Sequence, residues 1–324
     1  MATVNKFVCY GDIEPKKVEW LYYPYIPKGK LTIICGDPGI GKTTFVLSLV
    51  ALLTSGKKLP FSEQSHDAMN VYFQSAEDGT SDTIIPRLLK MGADCTKVVG
   101  LQTKRRFESF DADLEHDIIN QNIKLMVFDP IQAFMGSINI SSANDVREVM
   151  QKLNDFADRT DCAIVLIGHL NKNSGGINAL YRSLGSIDIV AAARSVLILT
   201  TNPNNPDNRI MVPLKSNLAK IGKSIIYDLE NGAVKWIGLS DVKAADLSGS
   251  DPAPAFKNAC DFLSVCLEHG DVASTKIFEL AAKNGICIST LKKAKAYLGI
   301  KSVKKNDDRW YYQQIKSSDE TATS

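Results

Sequence analysis

The sequence predicts an α/β protein built on a mainly parallel sheet and followed by a small helical unit, and three observations carry that expectation. Short β-rich runs alternate with longer helical patterns from Leu31 to about Gly238, as crossover-connected parallel strands require. The apolar run Leu31-Thr32-Ile33-Ile34-Cys35 leads into a glycine-rich segment, and a helical pattern from Lys42 to Thr54 leads out. A polar, proline-containing stretch, Asp241 to Pro254, then separates this region from a block with helix-turn-helix spacing.

The glycine-rich segment, Gly36-Asp37-Pro38-Gly39-Ile40-Gly41-Lys42-Thr43, matches G-x-x-x-x-G-K-[ST]. Glycines let the backbone curl so that its N–H groups point at phosphates, the lysine reaches the β- and γ-phosphates, and the hydroxyl holds Mg²⁺. Gly36 through Thr43, with Thr44, are therefore the expected binding residues of a nucleoside triphosphate, with ATP and Mg²⁺ as the expected ligands. The N-terminus of the Lys42–Thr54 helix is aimed at the same anion.

Further strands are expected at Val71–Ser75, Lys97–Leu101, Ile123–Asp129 and Ala163–Gly168, with helices between them. Thr80 to Met91 is helical but carries a proline near its middle, and Asn144 to Ala157 is amphipathic with Asn144 as its cap. Three later runs, Ser195–Thr200, Ile210–Leu214 and Ser224–Asp228, read as strands. The turn cluster Asn202 to Asn208 between the first two makes that end of the sheet antiparallel.

Two acidic strand ends supply the chemistry that a phosphate loop lacks. Ile123-Lys124-Leu125-Met126-Val127-Phe128-Asp129 is an apolar strand ending in a carboxylate, which beside such a loop would hold Mg²⁺ next to Thr43; helix capping is the other role open to Asp129. Val71 to Ser75 runs into Ala76-Glu77-Asp78, where Glu77, ahead of Asp78, is the candidate to orient and deprotonate a water, unless the pair merely caps a helix. Ala163 to Gly168 ends in His169, either a γ-phosphate sensor or a structural histidine.

These segments, with GSIDIVAAAR ending at Arg194 and LKSN at 214–217, resemble the RecA-like ATPases, and most of all the branch of plasmid RepA-type hexameric replicative helicases and related phage and mobile-element ATPases. The likeness covers roughly Trp20 to Gly238. It implies that Glu77 activates water, that Arg194 reaches a neighbouring subunit's γ-phosphate with Lys215 beside it, and that the chain forms a homo-hexameric ring on DNA. It also implies that the loops Gln132–Ala143 and Leu170–Ser183 face the channel, with Lys172 and Arg182 near phosphates; a plain flexible loop is the other reading. DnaB-like helicases usually carry arginine where Asn217 stands, a departure that favours the RepA-type branch.

After the linker, helices are expected at Phe256–His269, Ser274–Lys283 and Ser289–Leu298, then a hairpin over Lys301–Gln313, an arrangement that resembles a winged helix. The domains are thus 1–240, a linker 241–254, a winged-helix-like unit 255–316 and a disordered tail 317–324. Phe256 to Lys316 holds eleven Lys and Arg against six Asp and Glu. Lys292, Lys293 and Lys295 on the third helix and Lys304 and Lys305 on the hairpin are candidate phosphate contacts. Trp310, Tyr311 and Tyr312 either stack on bases or form the hairpin core.

Composition adds bounds. A chain of 324 residues with 44% hydrophobic and 23% charged content suits a globular protein, and a net charge of +2 points to no partner. Seven cysteines without a C-x-x-C pair fit neither a disulfide framework nor a zinc site, and neither a signal peptide nor a membrane span is legible, so a cytoplasmic protein is expected. The leading functional expectation is an ATP-driven helicase translocating on single-stranded DNA. The alternatives are a RecA-like loader or recombination ATPase and an ATP-controlled DNA-binding regulator.

Overall fold

The computed structural model describes residues 8–101, 105–136, 138, 142–169, 187–248, 254–268, 270–286, 288–305 and 308–313. The chain divides into two compact units, residues 1–248 and 249–324. In the first, a short antiparallel hairpin of β1 (Trp20–Tyr22) and β2 (Ile26–Pro27) precedes the main sheet. That sheet is made of β3 (Leu31–Gly36), β4 (Asn70–Ser75), β5 (Val98–Val99), β6 (Ile123–Asp129), β7 (Ala163–His169), β8 (Ser195–Asn202), β9 (Asn205–Ser216), β10 (Ser224–Glu230) and β11 (Ala233–Ser240). Their spatial order is β11-β10-β9-β8-β3-β7-β6-β4-β5. Pairings from β5 across to β8 are parallel. Those from β8 to β11 are antiparallel.

Helices explain why the parallel strands read as nearly continuous apolar runs, because both faces of the sheet are covered. α1 (Lys42–Thr54) and α2 (Ile85–Lys90) pack on one face. α3 (Ala112–Asn120), α4 (Ala143–Thr160) and α5 (Ile187–Ala192) pack on the other. Side chains alternate along β6 accordingly: Leu125 and Val127 enter the α1 core, while Met126 and Phe128 enter the α4 core. α1 is apolar on almost every side because the antiparallel end of the sheet also closes over it, with Phe45 5.0 Å from the Tyr227 ring and 5.3 Å from that of Trp236.

Several boundaries differ from the sequence expectation for identifiable reasons. The helix expected over Thr80–Met91 is split into a wide π turn, Thr80–Ile84, and α2, with Pro86 in the first α-turn, where its missing N–H has no intrahelical partner to lose. α4 is capped by Ser142, whose Oγ accepts from the Asp145 N–H, rather than by Asn144. The strand expected at Lys97–Leu101 shrinks to β5 because a 3₁₀ turn, Cys95–Lys97, occupies its start. Only Pro203 and Asn204 of the asparagine-rich cluster lie between β8 and β9. β11 went unread because its residues alternate between half-buried and exposed at the sheet edge. Past β11, a short helix α6 (Ala244–Ser248) follows, Val242, Ala244 and Leu247 pack against the α4 core, and Ser224 Oγ donates to Val242 O at 2.6 Å.

The second unit contains α7 (Pro254–Leu267), β12 (Val272–Ala273), α8 (Ser274–Lys283), α9 (Ile288–Tyr297), β13 (Lys301–Lys304) and β14 (Trp310–Gln313). β14 lies between β12 and β13 in an antiparallel sheet. Leu263, Ile277, Leu291 and Tyr312 form its core. Residues 317–324, the expected tail, lie outside the described residues. Six described cysteines are free, with Cys35, Cys162 and Cys260 buried. No helix among the described residues is long and apolar enough to cross a membrane.

Phe128 lies at the centre of an aromatic cluster, with the rings of Phe107 and Phe134 each 5.2 Å away and those of Tyr72 and Phe110 each 5.7 Å away. Phe128→Ala is expected to destabilise the first unit by about 3–5 kcal/mol, read from chemical denaturation followed by far-ultraviolet circular dichroism.

Candidate functional site

Four parallel strands deliver their carboxyl ends to one edge of the sheet. In the strand register Gly36 of β3 lies opposite His169 of β7, and Ser75 of β4 lies opposite Asp129 of β6. The phosphate loop, His169, Asp129 and the Glu77 turn therefore meet along that edge, as crevice sites in open α/β sheets do.

The loop's backbone leaves no room for other residues at two positions. A Cβ on Gly36 would sit 2.4 Å from Leu199 O of β8. Gly41, at φ +90°, is left-handed, and a Cβ there would lie 2.5 Å from Leu229 Cδ1 of β10. Asp37 and Pro38 are exposed and Ile40 and Thr44 half-buried. Lys42 is only 4% exposed. Its ammonium donates to Gly36 O at 3.0 Å and Asp37 O at 2.9 Å and makes no ion pair among the described residues. Burial pushes its pKa below the ordinary lysine value, opposed by Asp129 and Asp37. A buried cation whose neighbours at contact distance are carbonyls is an anion seat.

Thr43 Oγ1 donates to Asp129 Oδ2 at 2.6 Å, which joins the start of α1 to the end of β6. Burial pushes the Asp129 carboxyl up, partly offset by that hydrogen bond. Hydroxyl and carboxylate beside an anion seat suit a hard cation with oxygen ligands, so these residues fit Mg²⁺ bound with a nucleotide.

Glu77 and Asp78 are separated by their partners. Ser75 Oγ accepts from the N–H groups of Asp78 at 2.9 Å and Glu77 at 3.3 Å, and the Ala76 N–H donates to Asp129 O at 2.8 Å, which ties this turn to β6. Asp78 is bound by Arg87 at 3.0 Å. Glu77 Oε1 instead lies 3.5 Å from His169 Nε2. That nitrogen is buried and makes no hydrogen bond among the described residues, so the contact is an approach rather than a bond. Sequence reasoning missed Ser75, Arg87 and Leu229. Ser75 alone carried a readable signal, a hydroxyl residue one position before the turn that its own side chain closes.

Arg194 and Lys215 lie elsewhere. The Arg194 N–H donates to Leu31 O, at the opposite end of β3 from the loop, roughly 16 Å away along the strand. Its side chain is exposed and makes no ion pair among the described residues. Lys215 Nζ donates to Val190 O at 3.0 Å and Ala191 O at 2.8 Å, where a cation meets the negative end of α5. Burial and then Arg194 push its pKa down. Within one chain neither residue reaches the phosphate loop.

Lys172 and Arg182 lie outside the described residues. In the second unit Lys292 is exposed on α9, and only the backbone of Lys293 is described. Lys295 donates to Ser302 Oγ, Lys304 pairs with Asp308 at 2.5 Å, and Lys305 pairs with Asp271 at 2.8 Å.

Two outcomes follow from the loop geometry. Gly41→Ala should raise the nucleotide Kd at least about tenfold, as the methyl group must displace Leu229 and strain the backbone. Thr43→Ala should abolish the gain in nucleotide affinity that Mg²⁺ brings while leaving metal-free binding within a few-fold. Titration calorimetry with and without Mg²⁺ reads both.

Comparison with known proteins matches this geometry to a family. A family profile described as "AAA domain" matches residues 9–175, just over half of the chain. Among curated proteins, the DNA repair protein RadA of Helicobacter pylori is 30% identical over 152 residues, covering 45% of this chain and 30% of that protein. RadA of Aquifex aeolicus is 26% identical over 148 residues, covering 45% and 29%. The chain thus spans about three-tenths of the length of these relatives. Among solved structures, the KaiC-like protein PH0186 of Pyrococcus horikoshii OT3 aligns with a TM-score of 0.48 at 16% identity, covering 66% of this chain and 91% of that one. With its phosphate loop, strand-end aspartate and helix-covered parallel sheet, the chain belongs to the AAA domain family and carries a RecA-like P-loop ATPase core.

Proposed function

We propose that this protein is an ATP-hydrolysing, DNA-associated oligomeric motor, a cytoplasmic replicative-type helicase of the RepA-type branch that translocates on single-stranded DNA as a homo-hexamer. The observation that carries the hydrolytic part is the partition of the two carboxylates after β4: Arg87 holds Asp78, while Glu77 stands beside the Thr43 and Asp129 pair and pairs with no lysine or arginine among the described residues.

Glu77 then acts as general base. It accepts the proton of a water whose oxygen bonds to the γ-phosphorus as the bond to the β–γ bridging oxygen breaks, giving ADP and inorganic phosphate. Lys42 leaves the carbonyls of Gly36 and Asp37 for the phosphate oxygens. His169, whose buried Nε2 has no hydrogen bond among the described residues, is suited to report the state of Glu77 and the terminal phosphate. Mg²⁺ held through Thr43 and Asp129 supplies charge neutralisation on the β- and γ-phosphates when bound.

The position of Arg194, exposed and on the far edge of the sheet, supports action on a neighbour's nucleotide rather than its own. Lys215 supports it indirectly by fixing the end of α5 just before Arg194. DNA association draws on the curated relatives, which are named DNA repair proteins, and on the cationic second unit read as a winged helix. The same names favour a second reading, a recombination or repair ATPase that acts on DNA without unwinding it.

Glu77→Gln should retain ATP binding and lose turnover by roughly 10²–10⁴-fold, whereas Asp78→Asn should stay within a few-fold of wild type. Turnover measured by phosphate release checks both, and normal activity in Glu77→Gln would move the base elsewhere. Arg194→Ala should cost roughly 10³-fold or more, and mixing it with Lys42→Ala subunits should restore part of the activity; absence of rescue at every ratio argues against a shared site. Separation of a forked duplex distinguishes helicase from repair ATPase.

A further inference from the structure

The three consecutive aromatic residues of β14 have different fates in the second unit. Tyr312 is 4% exposed and meets Phe278 edge-on at 6.1 Å, so it is a core residue. Tyr311, on the opposite face of the strand, lies under the Lys305 ammonium at 4.7 Å. Trp310 is 53% exposed, and its indole makes no ring contact or hydrogen bond among the described residues. Alternation along the strand puts it on the face of Tyr312, one pair farther toward the hairpin turn.

Two lysines of the unit lie near this strand. Lys304 is its cross-strand partner in the β13–β14 register. Lys295 of α9 lies over the Tyr312 ring at 4.5 Å and donates to Ser302, itself the cross-strand partner of Tyr312. A half-exposed indole with a lysine as its cross-strand partner, in a segment with eleven basic and six acidic residues, selects an anionic ligand that has a flat face.

We propose that Trp310 is a stacking platform for an unpaired base of single-stranded nucleic acid. Tracking along a duplex calls for a row of cations free to meet phosphates. Here Lys304 and Lys305 are held by Asp308 and Asp271, and Lys295 by Ser302. A single aromatic face with one or two cations is the simpler equipment of single-strand binding, where stacking tolerates any base. The assignment rests on the reading of the chain as DNA-associated and names the side chain through which the second unit takes part.

The test uses the full chain, a labelled single-stranded oligonucleotide and the matched duplex, read by fluorescence anisotropy and by quenching of tryptophan emission. Trp310→Ala is expected to weaken single-strand binding by about tenfold, within the roughly 5–100-fold range of base–aromatic contacts, and to leave duplex binding within about twofold. Trp310→Phe should keep most of the affinity, which separates loss of the ring from loss of the fold, and should lose the quench that the oligonucleotide causes in wild type. ATP turnover without DNA should be unchanged in both variants. Wild-type affinity in Trp310→Ala, an equal loss for single strand and duplex, or the full quench persisting in Trp310→Phe would each overturn the assignment, the first also being the outcome if the indole serves a protein partner. If wild type turns over ATP and binds DNA while the variants match it, only this inference falls; if wild type does neither, the broader reading falls with it.

Discussion

The hydrogen-bonded register that sets Gly36 opposite His169 and Ser75 opposite Asp129 governs everything at the catalytic edge, because it brings four strand ends from distant parts of the chain to one level. A slip by one residue would turn each strand's side chains to the other face of the sheet. That slip is opposed by the two separate cores, since Leu125 and Val127 would have to exchange environments with Met126 and Phe128. Core packing therefore positions the carboxylates, and the bond from Thr43 to Asp129 joins the helix that follows the loop to the strand that ends the site.

Charge at that edge is arranged by partnering as much as by placement. Lys42 is buried against loop carbonyls and makes no ion pair among the described residues, Asp78 is taken by Arg87, and Glu77 approaches His169 at 3.5 Å. Two adjacent carboxylates thus have different partners, which under the proposed function makes one a structural and the other a reactive acid. The opposite end of the strands is arranged differently, with Lys215 bound into the end of α5 and the exposed Arg194 side chain making no ion pair among the described residues.

The second unit follows the same logic on a smaller scale. Of the lysines that its sequence offers to phosphates, three are occupied by Asp308, Asp271 and Ser302, so the formal surplus of positive charge overstates what is available to a ligand.

The sequence by itself determined the phosphate loop, the strand ending in Asp129, the Glu77 segment and the helical covering of a parallel sheet, because each is encoded over a few neighbouring residues by periodicity or by a backbone requirement. It did not determine the antiparallel edge strand β11, the cap of α4 or the π turn before α2, where local propensity is weak and neighbours decide. It put Glu77 ahead of Asp78 by residue order and by resemblance without supplying the contact that parts them, and it did not separate core Tyr312 from exposed Trp310 or paired lysines from free ones. Those distinctions depend on which side chains meet across the fold, such as Arg87 with Asp78 or Phe278 with Tyr312, and contacts between residues far apart in the chain are set only when the strands have taken their register.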